Sequence, residues 1–241
     1  MSGRFFPDVI ESFDSGSISD LTLFHKFQEL NSAGQQTPNV EIRTWPHGQT
    51  KIDVIVADPR LSAVTVDKLP NSNNIRSNNR LLLQHLQVIK YGLDHVKHNY
   101  DYIMIDSHPE VSDILRSVIY ASHYCVSPVK LDRQSSIGVA TIIGEINNVN
   151  ADVEMIQHSV DDFEYVDTIF AGSIGMMARE YGGALKQPEY DRLRRTGGGV
   201  FKHYVTEGDG LRQAAAERVP VFDIQISNAE KQADQFIKAR R

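Results

Sequence analysis

The stretch from Tyr100 to Pro109, Tyr-Asp-Tyr-Ile-Met-Ile-Asp-Ser-His-Pro, constrains the fold of this chain more than any other. Tyr102 to Ile105 is apolar with no polar alternation, the pattern of a strand buried on both faces of a parallel sheet. The run ends in a carboxylate, Asp106, and Ser107-His108-Pro109 breaks it. Apolar positions then recur at helical spacing: Val111, Ile114, Leu115, Val118 and Ile119. A second apolar run covers His123 to Val129, and a further helix begins near Ser135, with Ile137, Ala140, Ile143 and Ile146 as its stripe. Upstream, Leu82, Leu86, Ile89, Leu93 and Val96 mark an amphipathic helix that leads directly into the Asp106 run. Helices alternating with buried strands define an α/β chain with a mainly parallel sheet. The unbroken run predicts a central strand ending at Asp106, flanked by strands around Val126 and Val54.

In open α/β sheets, ligands bind at the carboxyl ends of the strands. An acid placed there is the Walker-B arrangement, in which the carboxylate holds Mg²⁺. The plainer reading is an acid that opens a turn or caps the next helix. The flanks favour the first reading. The order Tyr100 to Asp106, then Pro109, a helix, Ala121-Ser122 and Val126 to Val129 resembles the ParA/MinD family of deviant-Walker ATPases. The resemblance is closest to the ParA partition branch, covers roughly residues 18–240 and is strongest at 99–130. It implies a single domain over 1–241, a three-layer, mainly parallel sheet of the P-loop NTPase type. It also implies ATP and Mg²⁺ as cofactors, with Asp106 on the metal and nucleotide contacts at Asp106, Ser107, Ser173, Thr206 and Asp209. Non-specific DNA, a ParB-like partner, homodimerisation and a cytoplasmic, nucleoid-associated location follow from the same resemblance.

Composition sets the outer limits. The 241 residues suffice for one full α/β core. No apolar stretch approaches the roughly 18–20 residues of a membrane span, and the start does not read as an export signal. The single cysteine, Cys125, leaves no internal disulfide and no cysteine-based zinc site; in its strand pattern it reads as a packed core thiol. Net charge is −6 but uneven: residues 1–175 hold 13 Lys+Arg against 22 Asp+Glu, and residues 176–241 hold 12 against 9. A polyanion-facing surface and an ordinary solvated helix face both fit that asymmetry. Its candidate phosphate contacts are Arg192, Arg194, Arg195, Lys202, Arg212 and Arg218, with Arg192 and Arg195 on one side of a helix over about 186–196. His108, two residues past Asp106, reads as a solvent-facing loop residue.

Elsewhere, Asp20 caps a helix over 21–31, and Val40 to Trp45 and Lys51 to Ala57 read as strands. Pro70 to Asn79 and 150–165 read as loops. Val166 to Phe170 reads as a buried strand opening into Ala171-Gly172-Ser173, and Val200 to Val205 as a last core strand. Helices near 209–217 and 228–240 close the chain. The apolar side of the last one, Ala229, Ala233, Phe236 and Ile237, is too small for firm membrane attachment, which disfavours a MinD-like membrane regulator.

The family's phosphate loop, K-G-G-x-G-K-[ST], is not in the sequence. Gly197-Gly198-Gly199 and Gly182-Gly183 lack the Lys-Ser/Thr pair and read as loop glycines. The Asp-x-Asp-Pro motif of the following strand is also missing. The expectation is therefore an N-terminally truncated ParA-type fold, inactive in ATP hydrolysis, with apolar faces left open by the missing strands. A loop encoded about 40–60 codons upstream is expected for a shortened reading frame. The alternative is a nucleotide-free module of the same fold that contacts a protein partner or DNA.

Overall fold

The computed structural model describes residues 22–31, 39–47, 50–108, 110–130, 133–160, 163–178, 180–181, 184–185, 191, 193–195 and 199–224. The chain falls into two compact units, Met1–His123 with Glu145–Thr168, and Tyr124–Gly144 with Ile169–Arg241.

The first unit begins with helix α1, Leu23–Asn31, on which Phe27 and Leu30 are buried. Strands β1, Ile42–His47, and β2, Thr50–Ile55, form an antiparallel hairpin in which Trp45 faces Ile52 and Arg43 faces Val54. Helix α2, Ile75–Asp94, starts where Asn74 accepts the Arg76 N–H at 2.9 Å. That cap pulls the helix start back into the segment expected to be loop. Helix α3, Asp113–Ala121, is capped by Ser112, whose hydroxyl accepts the Leu115 N–H at 3.2 Å. Phe27, Leu30, Val88, Ile89 and Val118 make the core shared by α1, α2 and α3.

The second unit is built on three strands: β3 is Tyr124–Lys130, β4 is Ile169–Ala178 and β7 is Val200–Thr206. They form a parallel sheet in the order β3-β4-β7. A short antiparallel pair, β5 at Glu180–Tyr181 and β6 at Ala184–Leu185, follows β4. Val129, Val139, Ala178 and Leu193 form the core of this unit. Helix α4, Arg133–Gln157, gives its residues up to Gly144 to the second unit and the rest to the first. Helix α5, Asp209–Glu217, follows β7 and packs through Ala214 against Ile224.

Other sequence expectations change as well. The strand ending at Asp106 is not formed: residues 102–108 are irregular, and no described residue pairs with them in a ladder. Tyr102 is 85% exposed and Met104 93%, while Ile105 packs on the α1–α2–α3 core. A strand buried on both faces needs a backbone partner on each side. Here β2, carrying Val54, pairs only with β1, and β3, carrying Val126, only with β4 among the described residues; each keeps an open edge, and neither forms a ladder with residues 102–105. An apolar run says what a segment can bury, not whether neighbours are present to bury it.

Residues 150–157, expected as loop, continue α4. Val149, Val153 and Ile156 recur at helical spacing and are buried, so the acids between them lie off the buried stripe. Of the expected α4 stripe, Ile146 is buried and Ile143 packs on the core, whereas Ile137 and Ala140 are exposed and Val139 is buried instead. Strand β4 starts at Ile169 and runs through Ala171-Gly172-Ser173 to Ala178. The segments 1–21 and 225–241, including the expected Asp20 cap and the 228–240 helix, lie outside the described residues.

Candidate nucleotide site

In the second unit, the parallel strands end together. Ala178 of β4 is in register with Thr206 of β7, and the Glu207 N–H donates to the Ala178 carbonyl at 3.0 Å. Helix α5 begins three residues past Thr206, at Asp209. This is the edge at which open α/β sheets place ligands, and it is where Thr206 and Asp209 sit. Thr206 is buried; Asp209 is exposed and forms a surface pair with Arg212 at 3.3 Å.

Ser173 lies inside β4 rather than beyond its end, because the strand continues for five more residues. It is 1% exposed, its N–H donates to the Gly199 carbonyl at 2.8 Å, and its hydroxyl finds no partner among the described residues. Gly172 beside it holds φ +138°, and a Cβ there would meet the Gly199 oxygen at 2.9 Å. That close approach requires glycine.

In the first unit, Asp106, Ser107 and His108 are all exposed on the irregular segment before α3. In the second, Cys125 is half-buried on β3, and burial pushes its thiol pKa up, away from a nucleophilic thiolate. Of the basic residues, Arg194, Arg195, Lys202, Arg212 and Arg218 are exposed in the second unit, and Arg192 lies outside the described residues. Arg195 Nε donates to the Asp191 carbonyl at 3.2 Å, and Arg218 caps α5 in a left-handed conformation at φ 56°.

Sequence reasoning did not single out a cleft of about 550 Å³ in the first unit, lined by Ser112, Asp113, Arg116, Glu145, Asn148 and Asp152 among others. Arg116 is paired with Glu145 at 3.5 Å and with Asp152. Three carboxylates against one guanidinium repel a triphosphate, so this cleft is not a phosphate cradle. Its residues are spread over two helices, and no local motif marks them.

The chain's fold is therefore a mixed α/β architecture with a parallel sheet whose ligand edge lies at the strand ends. The AAA_31 family, described as an AAA domain, matches residues 24–158, more than half of the chain, and the protein belongs to this ParA/MinD-like family. Among solved structures it is similar to apo McdA of Cyanothece at TM-score 0.63 and 14% identity, over 92% of this chain and 78% of that one. It is also similar to an aspartate-to-alanine variant of Cyanothece McdA in complex with ATP, at TM-score 0.51 and 14% identity, over 75% of this chain and 72% of that one. No curated protein matches the chain. Among the described residues, no helix is long and apolar enough to cross a membrane.

The residues present do not by themselves fit MgATP. Asp106 stands exposed on irregular backbone, and no three His, Cys, Asp or Glu side chains among the described residues converge on a cation position. The amides and lysines of a phosphate loop are not in the sequence.

Proposed function

We propose that this chain is a ParA-like component of DNA partition that does not turn over ATP on its own. The observation that carries the reading is Asp106: the acid of the family's metal-binding motif is present but exposed, with no phosphate loop in the sequence to present a nucleotide to it. Membership of the family supports the lineage. In this reading Asp106 and Ser107 face Mg²⁺ and the phosphates, and Ser173, Thr206 and Asp209 the nucleoside, only in a form that also has the loop. That form dimerises, contacts DNA through the basic residues of 192–218 and answers to a ParB-like partner in the nucleoid-containing cytoplasm. The alternative, a nucleotide-free binding module of the same fold, draws on the same exposed Asp106.

The test is ATP turnover by the purified chain, with and without DNA, beside its Asp106→Ala variant. The expected result is no turnover above background in either, because a lone carboxylate repels a triphosphate unless a cation is already held. Turnover that Asp106→Ala abolishes would overturn the reading.

A further inference from the structure

His85 is the buried histidine of the described residues, 1% exposed where α1, α2 and α3 meet. Its ring packs on Phe27 of α1 with centroids 4.9 Å apart and planes inclined by 52°. Its backbone carbonyl accepts the Ser117 hydroxyl of α3 at 3.1 Å. Neither ring nitrogen has a hydrogen-bond partner among the described residues. A neutral imidazole leaves one donor and one acceptor unmet in that position; an imidazolium adds a charge and a second unmet donor. The charged groups around it do not rescue the cation. From α3, Asp113 favours it and Arg116 opposes it, and Arg116 is itself held by Glu145 and Asp152. From α1, Lys26 and Glu29 flank Phe27 and are joined to each other at 3.2 Å.

We propose that His85 is an acid-sensitive latch, and that protonation of its ring releases α1 from α2 and α3. The cation must find water, and on the α1 side the ring packs on the apolar Phe27 ring. The far end of α1 is tied separately, through the Thr22 hydroxyl donating to Asp58 at 2.9 Å. Burial pushes Asp58 up, but hydrogen bonds from Arg60 and Thr22 outweigh it and hold the carboxyl below its usual range. That second tie therefore stays closed while the first opens, and α1 swings about its N-terminal end. Burial lowers the His85 pKa from 6.5 to about 4, so the latch is fully closed above 6.5 and weakens as pH falls toward 4.

Hydrogen exchange of the α1 amides, corrected for intrinsic rates, reads the latch directly. Protection should fall on the order of tenfold between pH 7 and pH 5 in the full chain. In His85→Leu, whose side chain takes no proton, it should stay level. An equal fall in both proteins, or none in the parent, overturns the proposal. The His85 ring resonance of the unmodified chain gives a measurement independent of the variant's folding. A ring still neutral at pH 5 supports the latch, and titration near 6.5 overturns it.

Discussion

Asp58 shows how one buried side chain can organise its surroundings. It is 2% exposed and accepts hydrogen bonds from two residues: the Thr22 hydroxyl at 2.9 Å, the Arg60 N–H at 2.9 Å, and the Arg60 guanidinium through Nε at 3.0 Å and a terminal nitrogen at 2.7 Å. The Arg60 guanidinium also lies over the Phe24 ring, 4.5 Å from its centroid. Asp58→Asn keeps the shape and removes the charge that these donors need. The expected loss is about 2 kcal/mol of unfolding free energy at pH 7, measured by urea denaturation. The pH dependence has a definite sign. Because the folded-state pKa is lowered, the carboxylate's contribution is complete above the ordinary value near 3.8 and disappears as pH falls through the folded value. The Asn variant should lack that acid limb. Neither Asp58 nor His85 was legible in the sequence, since an isolated Asp or His carries no periodic signal. Asp106 was legible as a residue type after an apolar run, yet its surroundings were not, because they depend on strands elsewhere in the chain.

At the scale of elements, helices α2 and α3 follow from hydrophobic period, and helix α5 and strands β3 and β7 lie where the sequence reading puts them. The errors fall where those signals compete. Acids on the open side of α4 masked its last two turns, although Val149, Val153 and Ile156 kept the period. Strand β4 was cut short at Ala171-Gly172-Ser173 because small residues read as a turn. The structure instead uses Gly172 for a close approach: the β3–β4 register shifts between Cys125 and Val126, and Gly172 lies against the Gly199 carbonyl. Gly172→Ala places a Cβ at 2.9 Å from that oxygen, on backbone at φ +138°. Both the clash and the dihedral oppose it, and the variant should lose about 1–3 kcal/mol, seen as a lowered midpoint in thermal or urea unfolding. A midpoint equal to the parent's would show that β4 and the Gly199 backbone can separate without cost.

At the scale of the whole molecule, fold class and lineage were legible because they rest on the order of many elements, which survives errors at any one. The proposed DNA binding belongs to this scale too, since it would depend on summed charge rather than on one residue. Arg194 and Arg195 are exposed in the unit that carries the basic excess. Replacing Arg192, Arg194 and Arg195 together with Ala should weaken binding equally for unrelated DNA sequences. The slope of log affinity against log salt should flatten by about 0.9 for each phosphate no longer neutralised. An unchanged slope would remove the assignment.

The strand pairings also set a timetable. In the β1–β2 hairpin, His47 meets Thr50 across a few residues, and such closures take on the order of microseconds. Tyr124 must find Ile169 across the whole of α4, and Ser173 must find Val200. Long parallel closures lose chain entropy before any ladder bond repays it, so they come late. A newly made chain therefore passes through an interval in which the hairpin exists and the β3-β4-β7 sheet does not. Throughout that interval β3 lacks its β4 partner, so both of its edges rather than one are open to any other strand nearby, and crowding by neighbouring copies is most hazardous then.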